Sequence, residues 1–223
     1  MANLAIKENL NRIFAAISGT STELIAVTKT RTVDEINYAI ECGVKHIGEN
    51  RVQELMEKYD QINKDGVSIH LIGRLQTNKV KYIIDKVDLI HSVDSYKLAC
   101  EISKRAEKIG KIQDVLIEVN IGNEESKGGI TPDDLLNFVS EISELKGIRV
   151  CGLMCIPPIS QGAGTNLKYF LNLKQLSVDI NDKKIDNISM NILSMGMSDD
   201  YQDAIKAGSS FIRVGRGIFG PRN

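Results

Sequence analysis

The sequence predicts an α/β fold, a single (β/α)8 barrel of the TIM type, on three observations. Eight short apolar, β-branched runs recur along the 223 residues, at Leu24 to Thr28, Lys45 to Gly48, Ser68 to Ile72, Asp88 to Ser92, Asp114 to Asn120, Ile148 to Ile156, Ser189 to Ser194 and Phe211 to Val214. Helical patterns separate them, and short buried strands alternating with helices build right-handed parallel βαβ units. No Ser-, Pro- or Gly-rich linker and no low-complexity tract divides the chain, so residues 1–223 are expected to form one domain. Eight units in this length suit a compact barrel, with a doubly wound sheet as the alternative.

Met1 to Ile17 sets Lys7, Glu8 and Arg12 among apolar residues, which reads as an amphipathic helix rather than the unbroken apolar core of a signal peptide. The first strand run ends at Thr28 and leads straight into Lys29. Thr32, followed by Val33-Asp34-Glu35, is a capping box that starts the next helix. Further on, Thr131, Pro132 and two aspartates give an N-cap, a favoured first-turn proline and charge that complements the helix dipole. The last run, Phe211 to Val214, leads into Gly215-Arg216-Gly217.

Composition narrows the function classes. The net charge of -1 and the 5% aromatic content give little support to phosphate-driven nucleic-acid binding or base stacking. No apolar run approaches the length of a membrane span, so a cytoplasmic protein is expected. Four cysteines without C-x-x-C spacing agree with a reducing compartment. Cys151 and Cys155 on one strand would stand ~13 Å apart, too far to share a zinc ion, and read as core. His46, His70 and His91 each fall near a strand end and, taken singly, read as structural.

Two segments carry chemistry. An apolar strand ending in one lysine can hold the Lys29 amine in a poorly solvated pocket, where a lowered pKa frees its lone pair for attack on a carbonyl. Gly215 and Gly217 lack Cβ atoms and let backbone N–H groups approach an anion. An aldehyde trap and a phosphate cradle together suit pyridoxal phosphate. In a barrel, groups after the C-terminal strand ends converge on one face, and Lys29, Asn50, Ser194 and Gly215 all hold such positions. The turns after the seventh and eighth strands are the usual place for a phosphate, which the Ser194 hydroxyl and the amides of Met195, Gly215 and Arg216 would contact.

The segments Ala26-Val27-Thr28-Lys29, Gly48-Glu49-Asn50-Arg51-Val52-Gln53-Glu54, His70-Leu71-Ile72-Gly73-Arg74-Leu75-Gln76, Gly152-Leu153-Met154 and Leu193-Ser194-Met195-Gly196-Met197-Ser198-Asp199-Asp200 resemble the pyridoxal-phosphate homeostasis protein family, in its order and over nearly the whole chain. The resemblance implies a barrel like the N-terminal domain of bacterial alanine racemase and a Schiff base between Lys29 and pyridoxal 5'-phosphate. It places Asn50 and Met154 beside the ring and Arg213 at the pyridine nitrogen. Where many members carry threonine after the closing glycine, this chain has Arg216. Lys127, in the loop after the fifth strand, reads as a solvated charge or as a second amine for the aldehyde.

The resemblance implies a carrier in vitamin B6 homeostasis, without efficient catalysis and without a metal. It would buffer the cofactor or deliver it to pyridoxal-phosphate-dependent apoenzymes, and a monomer is expected. The alternative is an amino-acid racemase, but the racemase family takes its opposing tyrosine from a second domain and partner subunit, and this chain ends soon after the barrel. A phosphosugar-metabolising barrel with a substrate Schiff base at Lys29 would explain the lysine and the phosphate turns, not the full motif series.

Overall fold

The computed structural model describes residues 2–124 and 127–221, so expectations touching Met1, Glu125, Ser126, Arg222 and Asn223 lie outside the described residues. Eight parallel strands form a closed barrel in sequence order: β1 (Glu23–Val27), β2 (His46–Glu49), β3 (Ser68–Leu71), β4 (Leu89–Val93), β5 (Gln113–Val119), β6 (Ile148–Cys155), β7 (Ile188–Ser194) and β8 (Phe211–Val214). Closure is direct, through the pairs Leu24 with Ile212 and Ala26 with Val214, which removes the doubly wound alternative. Every strand lies where the apolar runs place it, with ends that shift by no more than one residue.

The helices are α1 (Ala2–Ile17), α2 (Val33–Glu41), α3 (Val52–Lys58), α4 (Tyr96–Lys108), α5 (Leu135–Ile142), α6 (Leu167–Asn181), α7 (Tyr201–Ala207) and α8 (Arg216–Phe219), while a 3-10 turn at Thr77–Tyr82 stands between β3 and β4. The capping box at α2 forms as its residue types dictate: the Glu35 amide donates to Thr32 Oγ1 at 3.2 Å and the Thr32 amide to Glu35 Oε2 at 2.8 Å. The start expected at Thr131 is corrected by one turn. Thr131 donates its hydroxyl to Asp134 at 2.7 Å, closing a turn of its own, and α5 begins only after Asp134.

Strand alternation sorts the core into two parts. Leu24, Ala26, Ile47, Ile69, Leu71, Val115, Ile117, Ile212 and Val214 face the helices in one continuous apolar layer, joined by Ile6, Leu10 and Ile13 from α1. Inside the barrel a smaller cluster, Leu89, Leu116, Cys151 and Met154, packs with Ile192 and Phe211. Polar groups share that interior, since His70, His91, Ser194 and Arg213 are all buried. No helix of the described residues is long and apolar enough to cross a membrane.

Candidate functional site

Lys29 follows β1 by two residues, and alternation puts it on the same face as Ile25 and Val27, which points into the barrel. Thr30 then adopts a left-handed backbone with φ of 62°, a costly conformation for a β-branched residue. Its amide is held by the Glu54 carboxylate, and Lys58 ties Glu54 (2.6 Å) to the Thr28 carbonyl (3.2 Å). Glu49 is fully buried behind the strand end, where it accepts the Thr28 hydroxyl at 2.7 Å. The geometry of Lys29 is therefore set from the helix side of the sheet.

A cavity of about 580 Å³ opens at this end of the barrel. That volume lies within the range of small-molecule sites. Lys29, Asn50, Arg213, Gly215 and Arg216 line it, so five of the residues expected to hold a cofactor meet in one place. Asn50 Oδ1 is buried and meets no hydrogen-bond partner among the described residues. A Cβ on Gly215 would lie 3.2 Å from Val27 Cβ and 3.3 Å from the Val27 carbonyl, so glycine is what lets this turn pass close to β1. α8 begins at Arg216, and its early amides precede the first intrahelical hydrogen bond, the donor-rich arrangement that suits an anion.

Three of the residues expected at the cofactor are not brought to this cavity. Ser194 is completely enclosed, and its hydroxyl already meets His91 Nδ1 at 2.9 Å and Arg213 Nη1 at 2.7 Å, so it does not line the cavity. The amide of Met195 donates to the Phe211 carbonyl at 3.0 Å in the junction of β7 with β8, which leaves it nothing to give an anion. Met154 is fully buried in the cluster inside the barrel and is not among the cavity's lining residues.

Other residues enter that the sequence reading passed over. Met197, Ser198 and Asp199 line the cavity from the loop after β7, with Ile72 and Ile156 as apolar walls. Ser198 accepts the Gly217 amide at 3.2 Å and so joins that loop to α8. Its signal was the second serine of the Leu193 to Asp200 segment. Arg31 donates to the Phe219, Gly220 and Pro221 carbonyls at 3.2, 2.6 and 3.0 Å and caps the C-terminal end of α8. Lys127 lines an adjoining cavity of about 280 Å³ that shares Asn50, Ile72 and Ile156 with the first. Its amine donates to the Pro157 carbonyl at 3.0 Å and pairs with Glu124.

Arg213 is the buried charge of the site. Nη1 donates to Ser194 and Nη2 to the Cys155 carbonyl at 2.8 Å, so both of these acceptors are neutral. Burial lowers its pKa from the ordinary guanidinium value, against the pull of Cys155, Asp200 and Glu118. A guanidinium so far above neutrality stays a cation. Burial also pushes the thiols of Cys151 and Cys155 up to about 11 and about 12, which keeps both protonated.

Comparison with known proteins agrees with this geometry. The family model of the alanine racemase N-terminal domain matches residues 3–223. The pyridoxal phosphate homeostasis protein of Aquifex aeolicus is 44% identical over 200 residues, covering 90% of this chain and 87% of that protein. PipY of Synechococcus elongatus PCC7942, solved with PLP bound, superposes with a TM-score of 0.85 at 31% identity, over 96% of this chain and all (100%) of its own. An alanine racemase of Clostridium difficile shares the fold with a TM-score of 0.81 at 17% identity, over 97% of this chain and 56% of the racemase. With a family model matched over nearly its whole length and a relative at this identity, the chain belongs to the pyridoxal phosphate homeostasis protein family.

Proposed function

We propose that this chain binds pyridoxal 5'-phosphate reversibly through Lys29 and acts in the cytoplasm as a reservoir that buffers the cofactor or delivers it to dependent apoenzymes. The observation that carries the reading is the meeting of Lys29 and the Gly215-Arg216 turn in one cavity of about 580 Å³. The residues present fit the group. Asn50 has a buried amide oxygen with hydrogen-bonding capacity to spare, and glycine at 215 lets the turn carrying the Gly215 and Arg216 amides pass close to β1, the strand that leads to Lys29. A relative at 31% identity solved with PLP bound supports the same assignment.

When bound, pyridoxal phosphate supplies an aldehyde that condenses with an amine and a ring that can spread negative charge. The chain's own groups have separable tasks. Lys29 presents the amine, the amides of Gly215 and Arg216 face the phosphate, and Asn50 meets a polar ring substituent. Arg213 brings a fixed positive charge to the ring, which disfavours a proton on a neighbouring ring nitrogen and weakens its use as an electron sink. Among the described lining residues there is no Tyr, His or Cys, and the Asp199 carboxylate is held by Arg216 at 2.6 Å. Besides Lys29 and this paired carboxylate, the described lining of this cavity offers no carboxylate, imidazole, phenol or thiol to move a substrate proton, and the reading of storage over turnover is built on that.

Mixing the purified protein with pyridoxal phosphate and reducing with borohydride tests the reading. The pyridoxyl mass is expected on the peptide containing Lys29 and absent from Lys29→Ala; its appearance chiefly on the Lys127 peptide overturns the assignment. In deuterated water the loaded protein is expected to leave the α-carbon of alanine, serine and glutamate almost unlabelled over many equivalents. Rapid labelling abolished by Lys29→Ala would make the chain an enzyme.

A further inference from the structure

The three histidines that read singly as structural are one continuous chain. Glu23 at the start of β1 meets His46 Nε2 at 2.6 Å, His46 Nδ1 meets His70 Nε2 at 3.1 Å, His70 Nδ1 meets His91 Nε2 at 2.9 Å, and His91 Nδ1 meets Ser194 Oγ at 2.9 Å. Ser194 then meets Arg213 Nη1 at 2.7 Å. The chain crosses the barrel interior from the N-terminal end of β1 to the cavity at the opposite end. Phe211 packs edgewise on His46 and His70, with ring centroids 5.1 and 5.3 Å away, and fills the space beside them.

The two ends fix the direction of every bond between them. Arginine can only donate and an ionised carboxylate can only accept. Ser194 accepts from Arg213 and turns its own hydrogen to His91 Nδ1. Each neutral imidazole that accepts at Nδ1 must then donate from Nε2, until the last N–H reaches Glu23. In the opposite direction, His46 would turn a bare Nε2 lone pair toward the Glu23 carboxylate at 2.6 Å, which requires one more proton at that end.

The geometry points to a one-way hydrogen-bond relay, Glu23–His46–His70–His91–Ser194, that positions Arg213, with Ser194 serving the arginine rather than an anion in the cavity. The environment keeps the two inner imidazoles, His70 and His91, neutral. Burial first, with His46 beside it, lowers His70 to about 3, and burial, with His70, Arg213 and His46 nearby, holds His91 well below the ordinary histidine value. The other titratable groups around Arg213 are Cys155 of β6, Glu118 of β5 and Asp200 beyond β7, and none of them bonds to a relay member. The relay gives Arg213 a fixed orientation without a carboxylate partner among the described residues, so its charge is left to act on the cavity. This role for Arg213 rests on the pyridoxal phosphate reading; the bond directions do not.

The test separates the two. Long-range proton–nitrogen correlation on histidine-labelled protein, without cofactor at pH 7.5, should find His70 and His91 neutral with the proton on Nε2, and an N–H at His46 Nε2. Glu23→Gln, at an exposed end that can both donate and accept, should give mixed tautomers. An Nδ1–H tautomer or a charged ring at His70 or His91 in the unsubstituted protein overturns the relay, whatever ligand the cavity takes. Ser194→Ala should then weaken pyridoxal phosphate and phosphate-free pyridoxal alike, by about three- to tenfold, with Ser194→Thr restoring both. A loss confined to pyridoxal phosphate would return Ser194 to the phosphate and overturn its positioning role, while failure of the unsubstituted protein to bind either ligand would sink the cofactor reading and leave the tautomer result standing.

Discussion

Arg216 holds Asp199 with Nη2 2.6 Å from one carboxylate oxygen, and both residues line the cavity that contains Lys29. Their side chains are 62% and 68% exposed, so the pair contributes at most about 1 kcal/mol to stability. Its effect is on the site. The carboxylate draws the guanidinium at the proposed phosphate turn toward itself and offsets its charge. Asp199→Asn is expected to tighten pyridoxal phosphate about three- to tenfold at low salt, with the gain fading as salt screens it, and to leave pyridoxal unchanged. Absorbance titrations with both ligands at two salt concentrations check this; an equal gain for both would assign Asp199 some other role.

Glu49 gives a pH prediction of a different sign from the usual carboxylate. Thr28 and Lys58 lower its pKa, but burial outweighs them and raises it overall. Its second oxygen is buried without a partner. The folded state therefore holds this proton more tightly than the unfolded chain, and the associated stability is full below the unfolded value of about 4.5 and is lost as pH rises through the raised one. Glu49→Gln keeps an acceptor for Thr28 and removes the buried charge, so it should raise the unfolding free energy measured in urea at pH 8 by about 0.5–1.5 kcal/mol and change little at pH 4. Destabilisation at pH 8 would mean that the Lys58 pair dominates.

The strands were legible because most are short apolar runs buried on both faces, and the positions of Lys29 and Arg213 were legible because strand ends and alternation fix where they point. What stayed hidden were contacts that depend on atoms rather than positions. Ser194 is the last residue of β7, as expected, but alternation turns its hydroxyl into the interior, and the Met195 amide is consumed by the pairing of β7 with β8. The histidine chain was hidden by sequence distance. His46, His70 and His91 lie on three consecutive strands, and only the register, which pairs His70 with Gly48 and with Leu89, brings inward-facing positions to one level. Three histidines at inward positions of adjacent strands was the available signal.

The buried imidazoles also set the acid limit of the fold. His70 and His91 both have depressed pKa values, chiefly from burial, whereas in the unfolded chain they titrate near 6.5. Between that value and the folded one, about 3 for His70, the unfolded state binds more protons, so stability falls as pH falls. Each histidine contributes a slope of at most about 1.4 kcal/mol per pH unit. Urea unfolding should show a clear loss of stability between pH 6.5 and 5, above the range where most carboxylates titrate. A flat profile there would mean that His70 and His91 are exposed or charged in solution.

Gly73 tests how closely Asn50 is held. A Cβ built on Gly73 would lie 2.3 Å from the Asn50 carbonyl oxygen and 2.7 Å from its Cα, both backbone atoms that no rotamer change can move aside. Ser92 fixes the other side, donating its hydroxyl to the Gly73 carbonyl at 2.7 Å. Relief must therefore come from displacing Asn50, one of the cavity's lining residues. Gly73→Ala is expected to cost about 1–3 kcal/mol of stability, as overpacking does, and to weaken pyridoxal phosphate and pyridoxal together, because the proposed function puts Asn50 on the ring side of the site. Asn50→Ala should reproduce the binding loss with a smaller stability loss. Unchanged affinity in a folded Gly73→Ala protein would show that Asn50 does not touch the ligand.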